Sequence, residues 1–277
     1  MTFMTKKLLA VGCSYTEDKR PFPVWPKLLA EKFNMECINL GRSGSGNEYI
    51  YSRTLDTLVT EKNLGLVVVM WSEFQRLDFC FQGRWKTLHF KVGPVERNNR
   101  PWANKLMNTL TEKKYDDIVY QTERSIRLFY SLQQIMKLTE YNNIPFYQLA
   151  GPVPAVARLT FGDPHGAHYF RQKHIVAKAI IENPYLNKID ERLFLGWPMF
   201  DELGGWNIDT WLDKVAIDLG NDRLSYDSLS GMSLRQDSDL RISKTDNHPN
   251  KKGHEKISEM LYNEIKRSVP NGNIHTT

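Results

Sequence analysis

Four short apolar runs, Leu8-Leu9-Ala10-Val11, Cys37-Ile38-Asn39-Leu40, Leu66 to Trp71 and Ile144 to Leu149, alternate with segments whose apolar residues recur at helical spacing. That alternation points to a parallel sheet with crossover helices. Trp25, Leu28, Leu29 and Phe33 mark the first helix, and a second runs from about Asn47 to Lys62. A long helix is predicted from about Tyr115 to Asn142, with Ile118, Thr122, Ile126, Phe129, Leu132 and Met136 on one face. A closing helix is predicted from about Asn250 to Val269, with Ile257, Met260, Leu261 and Ile265 facing inward. The valine-rich run before Trp71 reads as the central strand. With 277 residues, the chain is read as a single domain over 1–277 carrying two large insertions, about 76–114 and 153–240.

Several function classes are disfavoured by composition. No apolar run exceeds strand length, so no membrane partner is expected. The apolar segment after Met1 to Lys7 is short for a signal-peptide core and lacks a cleavage site, which predicts a cytoplasmic chain. Cys13, Cys37 and Cys80 show no metal-ligand spacing and suit a reducing compartment. The charge is unevenly placed. Between Arg76 and Lys114 nine basic residues face three acidic ones, against a net charge of +5 for the whole chain. Phe79, Phe81, Trp85, Phe90 and Trp102 are interleaved with them. Such a stretch suits nucleic acid or a glycan; without a recognised nucleic-acid motif, a solvated insertion anchored by its aromatics is the expected reading. His165, His168 and His174 have no carboxylate or cysteine that completes a metal spacing, so a polar surface is expected there and no metal.

In open parallel sheets, function gathers at the carboxyl ends of the strands. Val11-Gly12-Cys13-Ser14-Tyr15-Thr16, Asn39 to Gly44, Val67 to Ser72 and Asp246-Asn247-His248-Pro249 all lie just after a predicted strand or just before a predicted helix. A serine on such a turn is a nucleophile only if a base takes its proton. Cys13 is the alternative nucleophile, but strand alternation directs it opposite Ser14 and into the core.

Together these blocks resemble the SGNH (GDSL-type) serine hydrolases. The resemblance covers about residues 5–75, 140–152 and the last 30 or so. It implies a three-layer α/β/α fold with a flavodoxin-like parallel sheet, and a cofactor-free esterase working through an acyl-serine intermediate. By that resemblance Ser14 is the nucleophile, His248 the base and Asp246 the orienting acid, while Ser14 and Gly44 contribute to the oxyanion hole. The pattern departs at two places. The acid lies two residues before the histidine rather than three, where Thr245 stands. The asparagine that normally follows strand three is absent from Trp71-Ser72-Glu73-Phe74. Asn47 is the expected substitute donor, with Arg76 the alternative unless it pairs with Glu73 or Asp78. Trp71, Ser72, Glu73 and Arg76 are candidate substrate-binding residues, and His254 is expected on the surface of the last helix.

The substrate implied is a small-molecule or glycan ester, an O-acetylated sugar in particular. The cysteine-bearing first block with Trp71-Ser72 looks like variants met in phage-encoded proteins, implying a host-modifying or virion-associated role. The competing expectation is an impaired SGNH-like protein serving binding or virion assembly.

Overall fold

The computed structural model describes residues 5–89, 101–115, 117–152, 154, 167–220, 239–243 and 246–268. In chain order they form β1 (Lys7–Val11), α1 (Trp25–Lys32), β2 (Glu36–Asn39), α2 (Asn47–Thr60), β3 (Leu64–Trp71), β4 (Arg76–Phe81) and β5 (Arg84–His89). There follow α3 (Pro101–Glu112), α4 (Ile118–Leu138), β6 (Phe146–Ala150), α5 (Ala167–Ile181), β7 (Phe194–Leu195), α6 (Ile208–Asp218), β8 (Arg241–Ser243), β9 (Asp246–Pro249) and α7 (Lys251–Ser268).

One sheet organises the chain. β2, β1, β3, β6 and β7 pair in that order, all parallel. β3 is the middle strand, and every residue in it except Gly65 is buried, as expected when both sheet faces are covered. Strand alternation divides the core in two. Leu9, Val11, Val67, Val69, Trp71 and Phe194 face α2, α4 and α5. Leu8, Ala10, Leu66, Val68, Met70 and Leu195 face α1, α6 and α7. The result is a three-layer α/β/α fold with a flavodoxin-like strand order, in which the chain departs to opposite sides of β1. The crevice outside the ends of β1 and β3 is therefore where a site is expected.

The stretch 153–240 is not peripheral to this framework. It supplies β7, paired with β6 through Gln148 and Leu149. It also supplies α5 and α6, whose Val176, Ile180, Ile208 and Leu212 are fully buried. β7 is only two residues long, too short to leave a periodic signature. The long helix starts at Ile118 rather than Tyr115, because the Asp117 carboxylate accepts hydrogen bonds from the amides of Val119 and Tyr120.

The start of the basic segment is an antiparallel hairpin, β4–β5, set on the entrance of α2. Gly46, which precedes that helix, has no side chain to cap it. Asp78 in β4 does so instead, accepting from the amides of Gly46 and Tyr49 at 3.0 Å each. Trp85 packs edge-on against Tyr49, while Phe81 is exposed. Phe90 and the side chain of Trp102 lie outside the described residues.

Candidate active site

Ser14 lies on the turn that leaves β1, half-buried, with the fully buried Cys13 pointing into the core beside it. The amides of Thr16 and Glu17 both donate to the Cys13 carbonyl, so the chain doubles back immediately after the serine. The loop after β2 is clasped to this turn. Asn39 donates to the Thr16 carbonyl at 2.7 Å, and Arg42 donates its amide to the Gly12 carbonyl at 3.0 Å. The fit is close enough that a Cβ on Gly41 would lie 2.4 Å from the Glu17 nitrogen, so only glycine allows the two loops to meet.

The opposite wall is β9. Asp246, Asn247 and His248 are consecutive residues of an extended strand, paired with β8. In a strand, residues i and i+2 share a face. The two-residue spacing therefore puts the Asp246 carboxylate and the His248 ring side by side, with Nδ1 to Oδ1 at 2.5 Å. An ionised carboxylate only accepts hydrogen bonds, which assigns the Nδ1 proton and leaves Nε2 with its lone pair. Nε2 lies 2.8 Å from Ser14 Oγ. Burial pushes the Asp246 pKa up, but hydrogen bonds from the His248 ring and amide, with the charges of His248 and Arg20, outweigh it and hold the carboxyl below its usual range. Ser14, His248 and Asp246 thus form one hydrogen-bonded line across 234 residues of sequence.

Gly44 sits at φ 75° in a turn closed by the Ser45 amide on the Arg42 carbonyl. Glycine is required there because other residues are strained at positive φ. The His89 ring of β5 packs on this turn, 3.5 Å from where a Gly44 Cβ would stand. The hairpin thus reaches the Gly44 turn at the rim of the crevice.

The end of β3 departs from expectation. Asn47 is fully buried and is no oxyanion donor. Its Nδ2 donates to the Ser72 carbonyl and Ser125 Oγ, and its Oδ1 accepts from the Ser72 amide at 2.8 Å. Trp71 is not a substrate contact either. It is wholly inside the core, its Nε1 donating to Gln148 Oε1 and its ring against Phe129. Ser72 is 1% exposed, and its hydroxyl accepts from Arg76 Nη1 at 2.7 Å. Arg76 and Glu73 pair through two contacts of 3.1 Å, and Arg76 Nη1 also donates to the Ser45 carbonyl. Burial opposes the Arg76 charge, but the neighbouring carboxylate of Glu73 leads the groups that raise its pKa. These residues shape the Gly44 turn from behind, Trp71, Ser72 and Arg76 buried and Glu73 half-buried.

Two further groups escaped the sequence. Arg241, Asp209, Asp213 and Tyr15 form a buried polar cluster under β9. Two aspartates one turn apart beside Ile208 and Leu212, on the apolar side of a helix, are the signal that marks it. His254, expected on the helix surface, is 1% exposed. α1 begins after Val24, which has no capping group, so the Trp25 amide donates to His254 Nδ1 of α7 instead. Burial depresses the His254 pKa to about 3. Of the three spaced histidines, His174 is exposed, while His165 and the side chain of His168 lie outside the described residues, as does Thr245. No group of three or more potential metal-ligating side chains occurs among the described residues. Nor, among the same residues, is any helix long and apolar enough to cross a membrane.

No protein-family model matches the chain, and no curated protein matches it. Among solved structures it is similar to a protein ascribed to the G-D-S-L lipolytic family from Desulfitobacterium hafniense DCB-2. The two share 15% identity at a TM-score of 0.44, over 94% of this chain and 99% of that one.

Proposed function

We propose that the chain is an SGNH-type serine esterase, cleaving carboxylic esters through an acyl-serine intermediate. The observation that carries this reading is the line from Ser14 Oγ through the His248 ring to Asp246, at 2.8 and 2.5 Å. As Ser14 Oγ attacks the ester carbonyl, its proton passes to His248 Nε2, and Asp246 stabilises the imidazolium that results. The carbonyl π electrons move to oxygen, where the backbone of the Ser14 turn and the Gly44 amide are the proposed donors. When the tetrahedral centre collapses, the proton on Nε2 goes to the departing alcohol. Water then repeats the sequence on the acyl-serine, releasing the acid and restoring the serine.

An O-acetylated sugar is the proposed substrate class. The half-buried Trp85 shares one face of the β4–β5 hairpin with His89, whose ring packs on the Gly44 turn, and offers an aromatic surface suited to a sugar ring. Hydrolysis of a small aryl acetate by the wild type and by Ser14→Ala tests the mechanism. Loss of turnover in the variant, with the wild type labelled at Ser14 by a fluorophosphonate, is expected; equal rates would overturn it.

One observation favours a second reading, that of an impaired hydrolase serving binding or virion assembly. The side-chain amide expected to replace the missing oxyanion donor, that of Asn47, is committed to Ser72 and Ser125. Loss of one such donor lowers turnover by about 10²–10³. A wild type that is labelled at Ser14 yet turns over no acetate ester, sugar acetates included, would favour this second reading.

A further inference from the structure

Beneath the proposed catalytic line lies a charge cluster that a stability argument does not account for. Arg241 and Asp209 are 3% and 0% exposed. Arg241 Nη1 donates to Asp209 Oδ1 at 2.7 Å, and Nη2 donates to Asp213 Oδ1 at 2.8 Å and to the Asp209 carbonyl at 2.9 Å. Burial opposes the Arg241 charge, but Asp209 first, then Tyr15 and Asp213, outweigh it and raise its pKa. Taking such ions out of water is costly, and apolar replacements often do as well for stability. What the cluster holds is therefore informative. Arg241 Nη1 also donates to the carbonyl of Asn247, the residue between Asp246 and His248, at 2.8 Å. Tyr15, the residue after Ser14, donates its hydroxyl to the same Asp209 oxygen at 2.6 Å. Its ring lies 5.3 Å from that of His248.

We propose that Tyr15, Asp209 and Arg241 are positioning residues: a clamp, centred on α6, that sets the His248 ring over Ser14. The proposal rests on the esterase reading for its catalytic meaning. Its physical basis is that β8–β9 is a two-stranded sheet standing alone, and such ribbons are marginal by themselves. A shift of one residue in β9 would send Asp246 and His248 to the opposite face. Anchoring the Asn247 carbonyl from below prevents that shift. Because Asp209 is shared, the turn that carries Ser14 and the strand that carries His248 are fixed to one point, and the Tyr15 hydroxyl also lies 3.3 Å from the Asn247 carbonyl. α6, read from sequence as part of an insertion, thereby becomes part of the machinery.

Tyr15→Phe removes one hydroxyl while keeping the ring, and Arg241→Met removes the fork. Two readouts separate positioning from mere support. The first is the downfield proton NMR signal of the His248 Nδ1–H on Asp246, assigned by its loss in His248→Gln. The second is the division between kcat and KM for an aryl acetate. In Tyr15→Phe the thermal midpoint should change little, the signal should broaden or vanish, and kcat should fall about tenfold with KM within about twofold. Arg241→Met should do the same more strongly; should it not fold, Tyr15→Phe decides. An unchanged signal or an unchanged kcat in folded Tyr15→Phe would overturn the clamp, as would absence of the signal from the wild type. If no protein hydrolyses any ester while the signal is lost as expected, the esterase reading fails and the clamp stands.

Discussion

At the β9 corner of the crevice, Ser14 and His248 are half-buried and joined to each other at 2.8 Å. At the neighbouring β3 corner, Asn47, Ser72, Glu73 and Arg76 direct their polar groups at one another and at the backbone. Arg76 alone places Nε and Nη2 on Glu73 and Nη1 on Ser72 and Ser45. Polar residues after a parallel strand therefore serve two purposes that sequence does not separate. Some are left reachable, with one favourable partner that accepts or returns a proton. Others cancel the polarity of backbone that must be buried when loops are packed tightly around the first kind.

The largest effect is expected where that contrast is most easily broken. Asp246→Asn replaces an acceptor-only carboxylate by an amide, which favours the wrong His248 tautomer and cannot stabilise the imidazolium. A fall in kcat of about 10⁴ is expected, with little change in the thermal midpoint. A variant with near wild-type turnover would mean that the 2.5 Å contact plays no part in the chemistry.

At the other corner the expectation reverses. Arg76→Met leaves the half-buried Glu73 without its cation, and a loss of up to about 3 kcal/mol in unfolding free energy is expected from denaturant titration. Replacing Glu73 by leucine as well should recover most of it, since removing both members of a buried pair is far milder than removing one. If Arg76 instead stabilised an oxyanion, kcat would collapse in the single variant while stability held.

The same contrast decides what could be read from sequence. β1, β2, β3 and β6 were legible because each is an apolar run with a loop signal at its end, and α2, α4 and α7 because their apolar stripes are long. β7 was not, since two residues carry no period. Ser14 and His248 were legible by their place after a strand and before a helix. The Asp246 spacing looked anomalous only while β9 was unknown, because two residues along a strand return to the same face. Asn47 was misassigned for a different reason. A buried amide bonded to backbone and a catalytic amide are the same residue type in the same position relative to a helix start, and only the Ser72 and Ser125 contacts tell them apart.

Two histidines on one short segment sharpen the comparison in the last and smallest effect. His248 and His254 lie six residues apart, yet the first meets Ser14 Oγ and the second caps α1 from inside the core. The fold requires His254 neutral, because Nδ1 accepts the Trp25 amide, and burial holds its pKa at about 3 against an ordinary 6.5. In the unfolded chain the same ring takes up a proton near 6.5, so between these values the unfolded state binds more protons. The His254 contribution is thus complete above pH 6.5 and is lost on acidification toward 3, by about 1.4 kcal/mol for each pH unit. Urea titrations across that range should show the slope in the wild type and one proton less of it in His254→Gln. That variant should also lose a little stability at neutral pH, where glutamine fits the α1 entrance less well. Its kcat above pH 7 should be unchanged, because the ring, carried by the helix that follows β9, caps α1 and makes no hydrogen bond to Ser14 or Asp246. A loss of kcat there as large as that of Asp246→Asn would show that the division between reachable and committed groups is drawn in the wrong place.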